Sequence, residues 1–295
     1  MKNLVTFIGF GEASYHIVKG LKLEGLNEIV AYDAFSDHPE KGVIINKRAG
    51  EIGIELIPDL ETAIRSSKFV VSATSAKIAL SIAESVFKYM ETGQVFVDIN
   101  AASPMTMKAI SELERNEGVL FCDAAVMGVV PSEGHRVPML LSGDGAESFK
   151  SELSGYGMQL TDLKTIAGGS SAIKMFRSVF MKGLTQLLIE SLTASAKFGV
   201  LDTIVESLTE SLQNKTIEDL SNQLIPRTVV HAERRVSEMK EVISTLGDMG
   251  LDYSMSKSTK EKLEKIASSE KSKGLDGIPP NDYKEAIEVL IDILQ

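Results

Sequence analysis

Residues 4–14 read Leu4-Val5-Thr6-Phe7-Ile8-Gly9-Phe10-Gly11-Glu12-Ala13-Ser14, and the stretch that follows closes on Glu28-Ile29-Val30-Ala31-Tyr32-Asp33. An apolar run, a glycine turn, a helical segment and a second apolar run ending in a carboxylate spell strand, turn, helix and strand. In that order Gly9 permits a tight turn. Gly11 lets the backbone approach a pyrophosphate, whose charge the free amides and dipole of the next helix stabilise. Phe10, Glu12 and Ala13 complete the phosphate-facing turn. Asp33 stands 22 residues after Gly11, where an acidic side chain accepts hydrogen bonds from an adenosine ribose. Ser14 takes the third glycine position of GxGxxG and is expected to loosen helix-strand packing slightly. The plainer alternative is a βαβ unit with a glycine turn and no nucleotide. The strand before the turn, the helix after it and Asp33 at its distance argue against that alternative.

Outward from this unit, short apolar runs at 52–56, 69–73, 95–99 and 119–123 alternate with helical stretches, the clearest from Ala76 to Tyr89. Pro104 behind Ser103 marks another helix start. Pro138–Ser142 and Met158–Leu163 read as two strands that finish the sheet. The alternation predicts an α/β fold: a Rossmann-type, mostly parallel sheet covered on both faces, over residues 1–166. Ligands on such a sheet sit at the carboxyl ends of strands, which selects Gly9–Ser14, Thr74-Ser75, Asn100–Ser103 and Val126–Val129.

Residues 167–295 form an all-α C-terminal domain in this reading. It opens with one long inter-domain helix, Ala172–Phe198, capped by Ser170 or Ser171 after Gly168-Gly169. Its apolar residues fall nearly all round the cylinder, so the helix is expected to be buried by a second domain or a second subunit. A homodimer follows as the expectation. Pro226–Leu246 reads as one further helix ended by Gly247, Ser268–Pro280 as a polar loop, and Asn281–Leu294 as a last amphipathic helix.

The chain has 295 residues, 43% of them hydrophobic and 24% charged, with a formal net charge of −10 and no basic block. That balance argues against nucleic acid and anionic membrane surfaces as partners and points to a small molecule. Cys122 is the only cysteine, so no internal disulfide forms. It lies in an apolar strand, where a thiol is an inert small hydrophobe. The N-terminal run reads as a first strand and not a signal peptide, and no segment approaches the length of a membrane span. The expected setting is cytoplasmic. The four histidines are scattered without ligand spacing, so no metal site is expected.

Lys174 is the most informative polar residue. Beside Ile173, Met175 and Phe176, near the start of the long helix, its amine loses solvation and its pKa falls toward working pH, which suits a general acid-base. Ser170 or Ser171 lies one turn before it and Ser178 one turn after. The alternative is a lysine whose stem packs on apolar neighbours while its amine reaches water.

The ordered set Gly9-Phe10-Gly11, Asn100-Ala101-Ala102-Ser103-Pro104, Asp123-Ala124-Ala125-Val126-Met127-Gly128 and Gly168-Gly169-Ser170-Ser171-Ala172-Ile173-Lys174 resembles the β-hydroxyacid dehydrogenase superfamily, which includes the 3-hydroxyisobutyrate and 6-phosphogluconate dehydrogenases. The likeness covers residues 1 to about 180. It implies that the glycine turn binds NAD or NADP, that the Asp123–Val129 segment holds substrate through backbone amides, and that Lys174 is the acid-base. His231-Ala232-Glu233-Arg234-Arg235-Val236-Ser237-Glu238-Met239 resembles a branch with a short helical C-terminal domain of unassigned function. Three departures stand out. Ser178 replaces the family's asparagine, Met127 replaces a serine of DAPVSGG, and the family's C-terminal Lys-Asp pair has no clear counterpart.

The resulting expectation is reversible hydride transfer between nicotinamide and a small hydroxy acid or its semialdehyde. Lys174 and Ser178 carry the catalysis. Gly9, Phe10, Gly11, Glu12, Ala13, Asp33, Thr74, Ser75 and Asn100 hold the cofactor. Ser103, Val126, Met127, Gly128, His231 and Arg235 contact substrate, with the amides of Val126–Gly128 fixing its carboxylate. Asp33 favours NAD, because a carboxylate repels a 2′-phosphate, although Lys41, Lys47 and Arg48 lie downstream. Arg234 and Arg235 point to different sides of their helix: either binds a substrate anion, or both belong to a salt-bridged face with Glu233 and Glu238. Two rival functions share the fold, a nicotinamide-dependent imine or carbonyl reductase and a non-catalytic cofactor-binding regulator.

Overall fold

A computed structural model describes residues 3–295. The first compact unit extends to Val179, and Phe180–Gln295 is the second. The first alternates strand and helix: β1 Asn3–Ile8, α1 Glu12–Leu23, β2 Ile29–Tyr32, α2 Lys41–Ile52, β3 Glu55–Leu56, α3 Leu60–Arg65, β4 Ser67–Ser72, α4 Ala79–Phe87, β5 Val95–Asp98 and α5 Pro104–Ser111. It continues with β6 Leu120–Val126, α6 Val130–Glu133, β7 Met139–Ser142, α7 Ala146–Leu153 and β8 Leu160–Asp162. The strands form one sheet in the order β3-β2-β1-β4-β5-β6-β7-β8. All neighbours run parallel except β6 and β7. The order reverses between β1 and β4, and a ligand crevice opens where such a reversal occurs.

Alternation along the strands explains the two layers. Val5, Phe7, Phe69, Val71, Val95 and Val97 face one side, packed with Ile17, Val18 and Leu21 of α1 and Phe149 and Leu153 of α7. Ile8, Val70, Phe96 and Phe121 face the other, against Ala83, Val86 and Phe87 of α4 and Met107 and Ile110 of α5. Each such burial stabilises by about 1.5–3 kcal/mol before entropy is counted.

The long helix α8 spans Gly169–Phe198, three residues longer at its start than expected. Ser170 and Ser171 therefore lie inside the first turn and do not cap it. Much of its apolar surface stays open within the single chain: Phe176 is 66% exposed, Val179 70% and Leu187 47%. The second unit continues with α9 Leu201–Leu212, α10 Ile217–Val230, α11 Ala232–Asp248, α12 Ser254–Ser268, α13 Glu270–Lys273 and α14 Tyr283–Leu294. Its core joins Val229, Ala232, Val236, Leu263, Ile266, Ala286 and Leu290. Glu190 closes the start of α12, accepting from Met255 N at 2.8 Å, Ser256 N at 2.9 Å and Ser256 Oγ at 2.6 Å.

Three expectations are corrected. Residues 226–246 are not one helix. A Thr216–Asp219 capping box starts α10 upstream, so Pro226 falls inside that helix, and the chain breaks at His231 (φ −113°, ψ 21°) before α11 runs on through Gly247. The 268–280 loop contains the short helix α13. Ser14 does not loosen the packing: it is fully buried, and its hydroxyl donates to the Gly9 carbonyl at 2.6 Å. Ser14→Ala should therefore lower unfolding stability by about 1 kcal/mol. Ser14→Gly, which restores the glycine motif, should lose roughly 0.5 kcal/mol more through helix propensity. Urea unfolding checks both, and a Ser14→Gly variant more stable than the parent would contradict the assignment.

Candidate active site

The glycine turn lies at the carboxyl end of β1, against the segment leaving β4. Gly9 has φ +89°, and a Cβ there would come within 2.6 Å of the Ala73 carbonyl oxygen. Only glycine satisfies both conditions. At Gly11 a Cβ would meet nothing, so that side of the turn is open. Gly11 is also the N-cap of α1 and offers no side-chain cap, which leaves the first-turn amides around Glu12 and Ala13 available to an anion. Asp33 fastens the turn: its two carboxylate oxygens accept from Phe10 N at 2.7 Å and Phe35 N at 2.9 Å. A carboxylate has about four acceptor positions, so two remain for a ribose.

Across the crevice, Asn100 is a strut. Its Oδ1 accepts from Thr74 N at 2.8 Å, and its Nδ2 donates to Ser72 Oγ and Asp98 Oδ2, both at 2.9 Å. Every side-chain polar atom of Asn100 thus has a protein partner, and its contribution is to hold the Thr74 loop. Burial pushes the Asp98 carboxyl up to about 6, with the Asn100 hydrogen bonds opposing. Thr74 Oγ1 is buried and has no hydrogen-bond partner among the described residues. An orphaned hydroxyl beside an open glycine turn and uncapped amides fits a dinucleotide in this crevice. Ser75 is exposed. Ser103 caps α5, accepting from Thr106 N at 3.0 Å.

Asp123, at zero exposure, is a buried anchor of the site that the sequence pattern did not reveal. Gly168 N and Ser171 N donate to its Oδ2 at 3.1 and 3.2 Å, and Ser171 Oγ donates to Oδ1 at 2.7 Å. Ser142 Oγ adds a bond at 3.2 Å and accepts from Ser170 N at 3.1 Å, while Ser170 Oγ donates to the Asp123 carbonyl at 2.8 Å. Amides at the start of α8 thereby find a buried acceptor on β6. Lys174 follows three residues after Ser171, half-buried, with no hydrogen bond to its amine among the described residues. Burial lowers its pKa and the nearby Asp123 charge opposes. Ser178 is half-buried one turn on.

The Val126–Val129 loop departs from expectation. Met127 N donates to Pro138 O at 2.8 Å, and Val129 N to Glu133 Oε1 at 2.7 Å. Gly128 is overlain by the same carboxylate, whose Oε1 would lie 2.2 Å from a Cβ. Met127 therefore offers no free amide, and Glu133 occupies the edge where a substrate carboxylate was expected. Gly128 keeps an amide with no protein acceptor among the described residues. His231 and Arg235 belong to the second unit, His231 exposed at the break between α10 and α11. Burial pushes the Cys122 thiol up, which suppresses its thiolate.

Residues 195–266 match the family described as a domain of unknown function, DUF1932. A conserved hypothetical protein of Sinorhizobium meliloti 1021 is 30% identical, over 99% of this chain and 97% of that one, with a TM-score of 0.66. The conserved protein MTH1747, of unknown function and described as structurally similar to 3-hydroxyacid dehydrogenases, is 31% identical over 92% of this chain and 98% of its own, with a TM-score of 0.62. An imine reductase variant from Myxococcus stipitatus in complex with NAD+ covers both chains fully with a TM-score of 0.73. At 16% identity that likeness is one of fold.

Asp123→Asn removes the charge and keeps the side chain's shape. The Lys174 pKa should fall further, because the charge that favours its ammonium is gone. Stability should drop by roughly 2 kcal/mol through weakened bonds at the start of α8. Carbon-13 NMR of the reductively methylated lysines, with Lys174→Arg for assignment, reads the titration; an unmoved midpoint would sink the coupling.

Proposed function

The chain belongs to the DUF1932-bearing family of proteins built like the 3-hydroxyacid dehydrogenases, and from that premise we propose that it is an NAD(P)-dependent oxidoreductase acting on a small hydroxy acid or its semialdehyde, with Lys174 as general acid-base. The observation that carries this reading is a half-buried, unpaired amine of lowered pKa, one turn into a helix whose start is locked onto buried Asp123. Such an amine gives up its proton more readily than an ordinary lysine, which suits proton exchange with a substrate hydroxyl. In oxidation neutral Lys174 takes the hydroxyl proton, and in reduction its ammonium returns it. The nicotinamide, when bound, supplies or accepts the hydride. The glycine turn, Asp33 and the Thr74 loop hold the dinucleotide. Asp33 favours NAD, while Lys41, whose Nζ lies 4.2 Å over the Phe35 ring, is a downstream cation that a 2′-phosphate would call on.

Glu133 supports a second reading. A carboxylate already on the Val129 amide disfavours an anionic substrate there, and an uncharged imine or carbonyl compound leaves it undisturbed. A panel of short 2- and 3-hydroxy acids beside cyclic imines and ketones, assayed with NAD(H) and NADP(H), separates the two. Lys174→Ala should reduce turnover by roughly a hundredfold or more with cofactor affinity unchanged. Glu133→Gln should lower KM several-fold for a hydroxy acid and leave an uncharged substrate unaffected. Tight cofactor binding without turnover of any substrate would favour the regulator.

The uncovered apolar surface of α8 supports a homodimer, since Phe176, Val179, Phe180 and Leu187 are all exposed along one helix and apolar side chains clustered in this way mark interaction sites. A second copy presents the same surface and buries both. A cytoplasmic setting is in keeping with the single buried cysteine and with the absence, among the described residues, of a helix long and apolar enough to cross a membrane. Light scattering should give twice 32.0 kDa for the parent and 32.0 kDa for Leu187→Glu; a monomeric parent overturns the dimer.

A further inference from the structure

The two arginines of the 231–239 motif part company. Arg234 pairs with Glu238 one turn along the exposed face of α11. Arg235 turns toward α10, donating to Thr228 Oγ1 at 2.6 Å, and that hydroxyl donates in turn to the Leu224 carbonyl at 2.7 Å. Arg235 is half-buried, and among the described residues no carboxylate lies within 4.0 Å of it. An unpaired guanidinium partly removed from water is unfavourable unless an anion reaches it.

Thr228 is also part of the wall of an open cleft of about 300 Å³ on the helical unit, where Ser258, Thr259 and Lys262 are exposed. The remaining wall comes from α12: Met255, Ser258, Thr259, Lys262, Leu263 and Ile266. Positions 255, 259, 262 and 266 fall on one stripe of that helix. The lining divides by chemistry. Leu263 and Ile266 are 7% and 3% exposed and belong to the core, forming an apolar floor with Met255. Ser258, Thr259 and Thr228 bring hydroxyls, and Lys262 brings an ammonium with no ion pair among the described residues, while nearby Lys260 is held by Glu264 at 3.2 Å. The volume is at the small end of ligand cavities.

We infer that this cleft binds a small organic oxyanion, a carboxylate or phosphate head on a short apolar body, on the helical unit itself. Lys262 takes the head from the wall, and Arg235, bonded to the lining Thr228 hydroxyl, adds its positive charge from directly behind that wall. Ser258 and Thr259 complete the hydrogen bonding. Met255, Leu263 and Ile266 receive the apolar body, which separates this class of ligand from inorganic salt.

The test uses the full chain labelled with carbon-13 at methionine methyls, the Met255 signal being assigned with Met255→Leu. It is titrated at constant ionic strength with hexanoate, n-butyl phosphate, inorganic phosphate and hexanol. The expected result is a saturable Met255 shift with hexanoate or butyl phosphate, the tighter of the two identifying the head, and none with hexanol. Arg235→Leu and Lys262→Leu should each raise the midpoint at least about tenfold. Arg234→Leu, which removes the same charge from the same helix, should leave it unchanged. Lys262 is exposed, so its variant keeps the test open if Arg235→Leu does not fold. Lys174→Ala should also bind normally, so this result stands apart from the oxidoreductase reading. No saturable shift with either organic anion up to about 50 mM, an equal shift with hexanol, or midpoints unmoved in both cation variants overturns the inference.

Discussion

A carboxylate with no exposure to solvent stands where the sheet hands over to the long helix. Asp123 accepts from Gly168 N, Ser171 N, Ser171 Oγ and Ser142 Oγ. Without it, two backbone amides at the start of α8 would be buried and unpaired, at about 1–3 kcal/mol each. The positive end of the helix dipole faces the same carboxylate. Position and charge are thus set together, and Lys174, one turn later, inherits both. Its direction follows from the anchored first turn, and its proton affinity from burial working against the Asp123 charge.

The neighbouring strand repeats the device. Asp98 stands opposite Asp123 in the β5–β6 register and is equally buried. Its oxygens hold Asn100, and Asn100 holds the Thr74 amide at the rim of the β1/β4 crevice. Burial is the largest cause that raises the Asp98 carboxyl to about 6, and the Asp123 charge adds to it. Because this folded value lies above the ordinary 3.8, the proton favours the folded state. The stabilisation is present in acid and is lost as pH rises through about 6. Both carboxylates therefore organise the ligand end of the sheet from beneath.

What could be read from sequence was local in the chain. The glycine turn, Asp33 at its distance, the alternation of strands and helices and the lysine after Gly168-Gly169 each depend on spacing within one or two elements. The remainder depends on partners far apart. Ser14 reads as a departure from a glycine motif, and only the Gly9 carbonyl above it shows what the hydroxyl does. Asp123 looked like the opening of a substrate loop; its partners come from residues 142, 168 and 171. Glu190 gives no hint from its own helix that it caps α12. Pro226 reads as a helix start until the capping box at Thr216 extends that helix upstream. Helical-wheel geometry did separate Arg234 from Arg235, but a wheel cannot say that one meets Glu238 and the other Thr228.

The charges around the candidate active site bear on its chemistry. Glu133 sits on the Val129 amide as a resident anion, and it is exposed, so it can leave for water with little penalty. A substrate carboxylate arriving at that amide exchanges one charge-assisted hydrogen bond for another of the same kind, which is nearly neutral in energy. Its affinity must then come from contacts that Glu133 does not make, such as the open Gly128 amide. An uncharged substrate has no such exchange to make and binds with Glu133 in place. Under the proposed oxidoreductase function, the side chain that would separate an acid from an imine or ketone is therefore Glu133, on the loop, more than Lys174, which would move a proton for either.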